Sequence, residues 1–577
     1  MSSSTWSRRP RYGLWRLLAV VITAWLLAVP SVGKAERPNR PRQFAIRNAR
    51  LVPVSGPLIE KGTIVVADGL IQAIGTDVPV PPEAWVIEGE KLTVYPGLID
   101  SLTTLGLQAP QQGGGEGRPS TGGAAQPAQR PRIPRGPEDR PATTPWDNAA
   151  DRLRTDDRRL ENWRKAGFTS AVTSPDRGIF PGQAAMINLA GERLNELVLA
   201  TPVALRVNLS RAGGFRNFPG SLMGVFAYIK QVFTDVNHYD EAQSIYRAHP
   251  QGLERPAYDR TLEPIRRALG ERQPVLLPAT WSKEILRAVR FGEEVEANAL
   301  IYGVHQGYEV ADLLASKQLP VLVSLKWPEK ARGGDPDAEE PLRILRFRDR
   351  APSTPSVLQR AGVKFAFYSD GISNPRDILK NVRRAMEAGL SADAALRALT
   401  LSAAEIYGLE KSLGSLDAGK IANLTVTEGE LFGEKTKIKM VFIDGKKYET
   451  PEPTRPTAPP TVNPTGQWML SVENPRGVQE VTADLTMGKD GTLSGTFTTR
   501  RGTNDISDGW VSGNRFSFTV STTRGSRTIE TTYSGTMEGN ELSGTMTLGS
   551  RSVDFSGTRP EGGRSDDDGF RKRGGRQ

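Results

Sequence analysis

Short apolar bursts separated by turn residues run from residue 44 to 95, as "FAIRNARLVPV", "GTIVVADG", "LIQAIG" and "AWVIEGEKLTVY". Alternation on that length scale predicts a small β unit. The same texture returns at Gly419 to Glu449, in "GKIANLTVTEG" and "TKIKMVFIDGKKYE". Two such segments flanking a long middle predict one β-sandwich assembled from both ends, over residues 36–95 and 411–450. The middle, 96–410, has another rhythm: fully apolar runs such as "FTSAVT", "PVALRVNL", "PVLLPA", "ALIYGV", "PVLVSL" and "VKFAFY" alternate with segments of helical period. Strands buried on both faces read this way, so an α/β fold with a parallel (β/α)8 barrel of TIM type is expected. Asn374 and Ser391 are expected to cap the helices "PRDILKNVRRAMEA" and "ADAALRALTLSAAEIYG".

Three stretches interrupt this plan. Residues 108–147, rich in Gly, Pro, Gln and Arg, read as a disordered insertion after the first barrel strand. Its Gly113 to Gly117 run is not followed by the Lys-Ser or Lys-Thr that a phosphate loop needs. "SPDRGIFPGQAAMINLAGE", Ser174 to Glu192, reads as a loop across the barrel mouth. A proline-rich linker at 451–464 precedes an all-β region, 465–560, in which Leu493, Tyr533, Leu542 and Phe555 each begin an apolar-Ser-Gly-Thr repeat. Glycine inside strands fits a closing antiparallel barrel or sandwich. The tail 561–577 reads as disordered.

Charge and composition narrow the setting. Residues 1–35 place Arg8, Arg9, Arg11 and Arg16 before "LLAVVITAWLLAVP" and a small-residue cleavage region, the pattern of a signal peptide. Its removal, with Lys34, lowers the formal charge from +10 to +5. The expectation is a bacterial periplasmic or secreted protein with no membrane attachment after cleavage and no nucleic-acid partner. There is no cysteine, so disulfides and thiolate chemistry are excluded.

Between Phe44 and Glu449, "GTIVVADGLIQAIG", "TVYPGLID", "ALRALTLSAAEIYGLEKSLGSLDAGKIANLTV" and "VFIDGKKYE" follow one another in an order that resembles the amidohydrolase superfamily, nearest its exported, imidazolonepropionase-like branch. The resemblance implies a composite sandwich around a (β/α)8 barrel and hydrolysis of C–N bonds in amides or cyclic amides. It also implies a divalent metal such as zinc, which lowers the pKa of bound water and polarises the scissile carbonyl. The family's first-strand pattern is Gly-x-Ile-Asp-x-His-x-His. Here Gly97, Ile99 and Asp100 match, while Leu102 and Thr104 stand at the two histidine positions. Pro278 falls where a fifth-strand histidine belongs, and Tyr302 where one precedes glycine in the sixth. The metal-ligand aspartate is kept as Asp370.

The chain has three histidines. His305, just past a predicted strand, is the candidate ligand or general base beside Asp370; His238 and His249 fall on a solvated helix and its end. Asp100 is expected to anchor barrel backbone. These residues leave three readings open. One is a degenerate amidohydrolase that binds a small amide or peptide-like ligand or supports an active homologue. Another is a hydrolase with an altered one-metal site using Asp370, His305 and carboxylates such as Glu309. The last is a surface module acting through the C-terminal domain.

Overall fold

The computed structural model describes residues 43–107, 140–209, 218–330, 339–450 and 458–559, apart from 373, 435, 475–476, 489, 500–501, 525–526 and 549–550. The export signal, the Gly113 to Gly117 run and the tail lie outside the described residues.

Strands β1 (Gln43–Leu51), β2 (Ile59–Ala67), β3 (Leu70–Gly75), β4 (Trp85–Glu88) and β5 (Leu92–Pro96) precede the barrel. The barrel sheet comprises β6 (Leu98–Thr103), β7 (Phe168–Thr173), β8 (Gly182–Asn188), β9 (Val198–Arg206), β10 (Val275–Ala279), β11 (Ala299–Gly303), β12 (Val321–Ser324) and β13 (Phe365–Tyr368). After it come β14 (Leu424–Glu428), β15 (Lys437–Ile443) and β16 (Lys446–Glu449). The two flanks form one sheet, with β14 antiparallel to β5 so that Val426 faces Val94.

The eight barrel strands are ordered β6 to β13 in sequence, and the apolar runs separate onto two sides. Val275, Leu277, Ile301, Val321, Val323, Phe365 and Phe367 pack outward under the helices. Ile99, Leu102, Val172, Met186, Leu276, Leu300, Leu322 and Ala366 fill the bore. That alternation is what burial on both faces of a parallel sheet requires.

One strand departs from the expected pattern. β8 runs antiparallel to both β7 and β9, so the segment read as a mouth loop contains a barrel strand. Its support is the stretch 140–147, read as the end of a disordered insertion but packed here. The Gln183 N–H donates to the Asp147 carbonyl at 2.9 Å. A Cβ on Gly182, at φ +142°, would lie 2.1 Å from that same oxygen. Thr143 is 1% exposed and its hydroxyl pairs with that of Tyr228 at 2.6 Å. Close approach of this strap requires glycine where the sequence looked like a loop.

Ser391 caps its helix as expected, accepting from the Ala394 N–H at 3.2 Å. The preceding helix instead starts at Arg376 with Pro375 in the cap position and Asn374 one residue farther out, its side chain accepting the Arg376 N–H at 3.1 Å. The second helix is split into Ala392–Ala398 and Leu401–Ile406. The break turns the Leu399 carbonyl toward β6, where it accepts the Ile99 N–H at 2.7 Å.

Between residues 466 and 558 eight antiparallel strands close into a barrel, Met469 facing Thr558 across the closure. Trp468, Phe516 and Phe518 are fully buried inside it. The end of the linker joins this domain, Ser512 donating to the Ala458 carbonyl at 3.0 Å. The repeat glycines sit where strands approach most closely: a Cβ would lie 1.8 Å from the Asp484 carbonyl at Gly495 and 2.1 Å from the Ser534 carbonyl at Gly544. Gly495→Ala should therefore lower the stability of this domain by at least about 1 kcal/mol. Tryptophan fluorescence during urea unfolding checks it, and an unchanged midpoint would refute the close-approach reading.

Candidate functional site

The site is built where β6, β9, β10, β11 and β13 end. Leu102 is wholly buried in the bore among Ile99, Val172 and Met186. Thr104 lies beyond the strand, its carbonyl accepting from Arg159 Nη2 at 2.9 Å. Pro278 and Tyr302 are register partners on β10 and β11, the fifth and sixth barrel strands. Asp370 follows the eighth, β13, with its side chain 32% exposed.

The group that meets Asp370 is Arg206, at the end of β9. Its Nη2 lies 3.4 Å from Asp370 Oδ2 and its side chain is 5% exposed. Arg206 Cζ stands 5.4 Å from the centre of the Tyr302 ring. The Tyr302 hydroxyl donates to Asn208 Oδ1 at 2.8 Å, and Asn208 Nδ2 donates to the Asp176 carbonyl at 2.7 Å. Below them Tyr407 donates to the Ser101 carbonyl at 2.6 Å. Burial pushes the hydroxyl pKa values of Tyr302, Tyr368 and Tyr407 upward, so all three stay neutral. The mouth thus presents a guanidinium, a carboxylate and neutral phenols.

His305 and Asp370 share no hydrogen bond among the described residues. The His305 ring packs 5.6 Å from Trp327 and 6.1 Å from Phe347, with Nε2 3.2 Å from the Ser324 carbonyl. Burial pushes its pKa down to about 4, which keeps it uncharged at neutral pH and poorly matched to proton transfer there. The enclosure explains this: Phe347 stacks on Trp281 at 4.1 Å and completes an aromatic wall. His238 lies on the exposed face of helix Leu222–Ala248, and His249 terminates that helix. Glu309 is exposed and accepts from Gln306 at 2.9 Å.

These donors do not fit the metal the family implies. Among the described residues no three His, Cys, Asp or Glu side chains converge as a metal site would require. Leu102 and Pro278 offer no ligand atom, the Tyr302 hydroxyl is bound to Asn208, and a guanidinium stands 3.4 Å from Asp370, where it would repel a divalent cation.

Asp100 lies on the outer side of the bore and is 1% exposed. It accepts from Ser369 N–H and Trp163 Nε1, both at 3.0 Å, and from the Ser369 hydroxyl. β6 and β13 end the strand order without a ladder between them, so this side chain ties the barrel seam. A cavity of about 240 Å³ lies on the far side of β9 and β10, lined by Val207, Leu222, Phe226, Leu277 and Phe291. Its carboxylate, Glu284, is spent on the Thr280 and Trp281 N–H groups at 2.8 and 3.1 Å. Sequence reasoning missed Arg206; the signal was an arginine inside the apolar strand "PVALRVNL".

Residues 339–448 match the profile of the amidohydrolase family. The fold is similar to that of an amidohydrolase from Thermotoga maritima MSB8, at 23% identity and a TM-score of 0.57, over 70% of this chain and 100% of that one. Also similar are a Xaa-Pro dipeptidase with bound methionine (17% identity, TM-score 0.43, 70% and 100% covered) and an adenosine deaminase from Xanthomonas campestris with bound zinc (15%, 0.40, 73% and 96%). No curated protein sequence matches the chain.

Proposed function

We propose that this amidohydrolase-family chain is an exported protein that binds a small amide or peptide-like ligand at its barrel mouth without a metal. The observation that carries the reading is the Arg206 guanidinium 3.4 Å from Asp370, above a bore that Leu102 helps to fill. A cation is supplied to the Asp370 carboxylate by a side chain that offers no open coordination position and activates no water. Hydrolysis named for similar proteins is therefore not carried over, because chemistry follows the site and not the fold. Export is supported by the arginine-led apolar segment at the N-terminus. A histidine-complete homologue is a fitting partner for such a chain.

Elemental analysis tests this reading. The mature protein, purified without chelator and then supplied with zinc or manganese, should hold metal far below one equivalent. Near-stoichiometric metal that disappears in Asp370→Ala would overturn the reading in favour of a hydrolase with an altered one-metal site.

A further inference from the structure

We infer that Arg206 is the docking point for the carboxylate of a small ligand entering the barrel mouth, an inference that rests on the metal-free mouth proposed above. Arg206 is the end residue of β9, and its side chain is 95% buried, yet Nε and Nη1 have no hydrogen-bond partner among the described residues. Its third nitrogen, Nη2, is 3.4 Å from Asp370, longer than the ~2.7–2.9 Å of a good charge-assisted bond. Buried guanidinium groups are ordinarily saturated, because an unpaired polar group loses its water and gains nothing in exchange. Here two buried nitrogens of the guanidinium are left over, so a ligand that reached them would supply their first acceptor.

The neighbours define what the ligand must bring. The Tyr302 hydroxyl donates to Asn208 while its oxygen, with the charges of Asp370 and Asp176, favours the charged Arg206, and Asn208 Nδ2 donates to the Asp176 carbonyl. Arginine has five N–H donors and no acceptor, so the missing partner must be an acceptor. Nε with Nη2, or Nη1 with Nη2, forms a planar fork that matches two carboxylate oxygens. The Tyr302 ring, with Cζ 5.4 Å from its centre, helps to hold the guanidinium plane in place. Asp370, partly exposed, borders the same mouth and competes for Nη2. A carboxylate-bearing ligand would share or displace that long contact and satisfy the free donors. The competition gives a sign that a merely structural arginine would not produce.

Trifluoroacetate, followed by ¹⁹F NMR, is the probe, with trifluoroacetamide as the neutral control. The full mature protein should bind trifluoroacetate saturably and the amide weakly. Arg206→Gln should weaken trifluoroacetate about tenfold or more, the loss expected for a charge-assisted pair. Asp370→Asn, which leaves the guanidinium in place and removes its competitor, should tighten it. Should Arg206→Gln not fold, the Asp370→Asn titration decides. Absence of saturable binding in both wild type and Asp370→Asn, or equal affinity in folded Arg206→Gln, would overturn the inference. Metal content measured on the same samples separates the two failures: metal-free protein without carboxylate binding overturns this inference alone, whereas stoichiometric metal overturns the proposed function.

Discussion

Leu102→His is expected to leave the protein free of metal and to destabilise the barrel by about 3 kcal/mol. The substitution places a histidine at the first histidine position of the pattern the sequence resembles, so the outcome reports whether one added ligand suffices for metal binding or the whole mouth opposes it. Leu102 is wholly buried among Ile99, Val172, Met186 and the bore layer of Leu276, Leu300 and Leu322. An imidazole there loses leucine's apolar burial and brings two ring nitrogens into surroundings made of hydrocarbon. With Asp370 it would supply two ligands, short of the three protein ligands a catalytic zinc site keeps. Arg206 would remain beside that carboxylate and oppose an incoming cation.

Urea unfolding and elemental analysis of the same preparation read both effects. Leu102→Met, which nearly conserves volume, should cost less than about 1.5 kcal/mol and separates polarity from packing. If Leu102→His took up zinc near stoichiometrically, or matched the wild-type urea midpoint, the metal-free, apolar-bore reading would fail.

The barrel was legible in the sequence for a physical reason. Strands covered on both faces need unbroken apolar runs, and "PVLLPA", "ALIYGV", "PVLVSL" and "VKFAFY" became β10 to β13. Those runs brought Pro278 and Tyr302 to the fifth and sixth strands, and Asp370 just past the eighth. β8 was hidden because "GQAAMIN" has little β-branched character and opens on glycine, a residue demanded by contact with Asp147. Arg206 was hidden for another reason. A single arginine in a strand gives no sign of its facing, and its partner Asp370 stands 164 positions away. His305 misled because its place after a strand suggested the mouth, whereas the aromatic wall that buries it comes from Trp327 and Phe347, on separate segments. In the C-terminal domain the repeated glycine marked strands whose neighbours approach too closely for a Cβ, so the repeat could be read directly.

Asp100 carries the other large expected effect. Asp100→Ala should cost the barrel roughly 3–5 kcal/mol, because the Ser369 N–H and hydroxyl would be left buried without their acceptor and Trp163 Nε1 would keep only its 3.3 Å bond to Ser369. The loss falls at the seam between β6 and β13, where no ladder hydrogen bonds share the load. Burial, opposed by the bonds from Ser369 and Trp163 and reinforced by the charge of Asp370, raises the Asp100 pKa from 3.8 to about 7. The folded state therefore holds a proton that the unfolded chain releases near pH 4. Between pH 4 and pH 7 the unfolded state binds fewer protons, so Asp100 makes stability fall as pH rises. The difference between 3.8 and about 7 corresponds to a contribution on the order of 4 kcal/mol across that window. Asp100→Asn removes the titration and should flatten the pH dependence while other groups titrate as before. Urea midpoints of wild type and Asp100→Asn at pH 5 and pH 8 isolate the difference: wild type should lose more stability than the variant on going to pH 8. Equal losses would mean that the carboxylate is ionised throughout and that the seam is held by a charged acceptor instead of a protonated one.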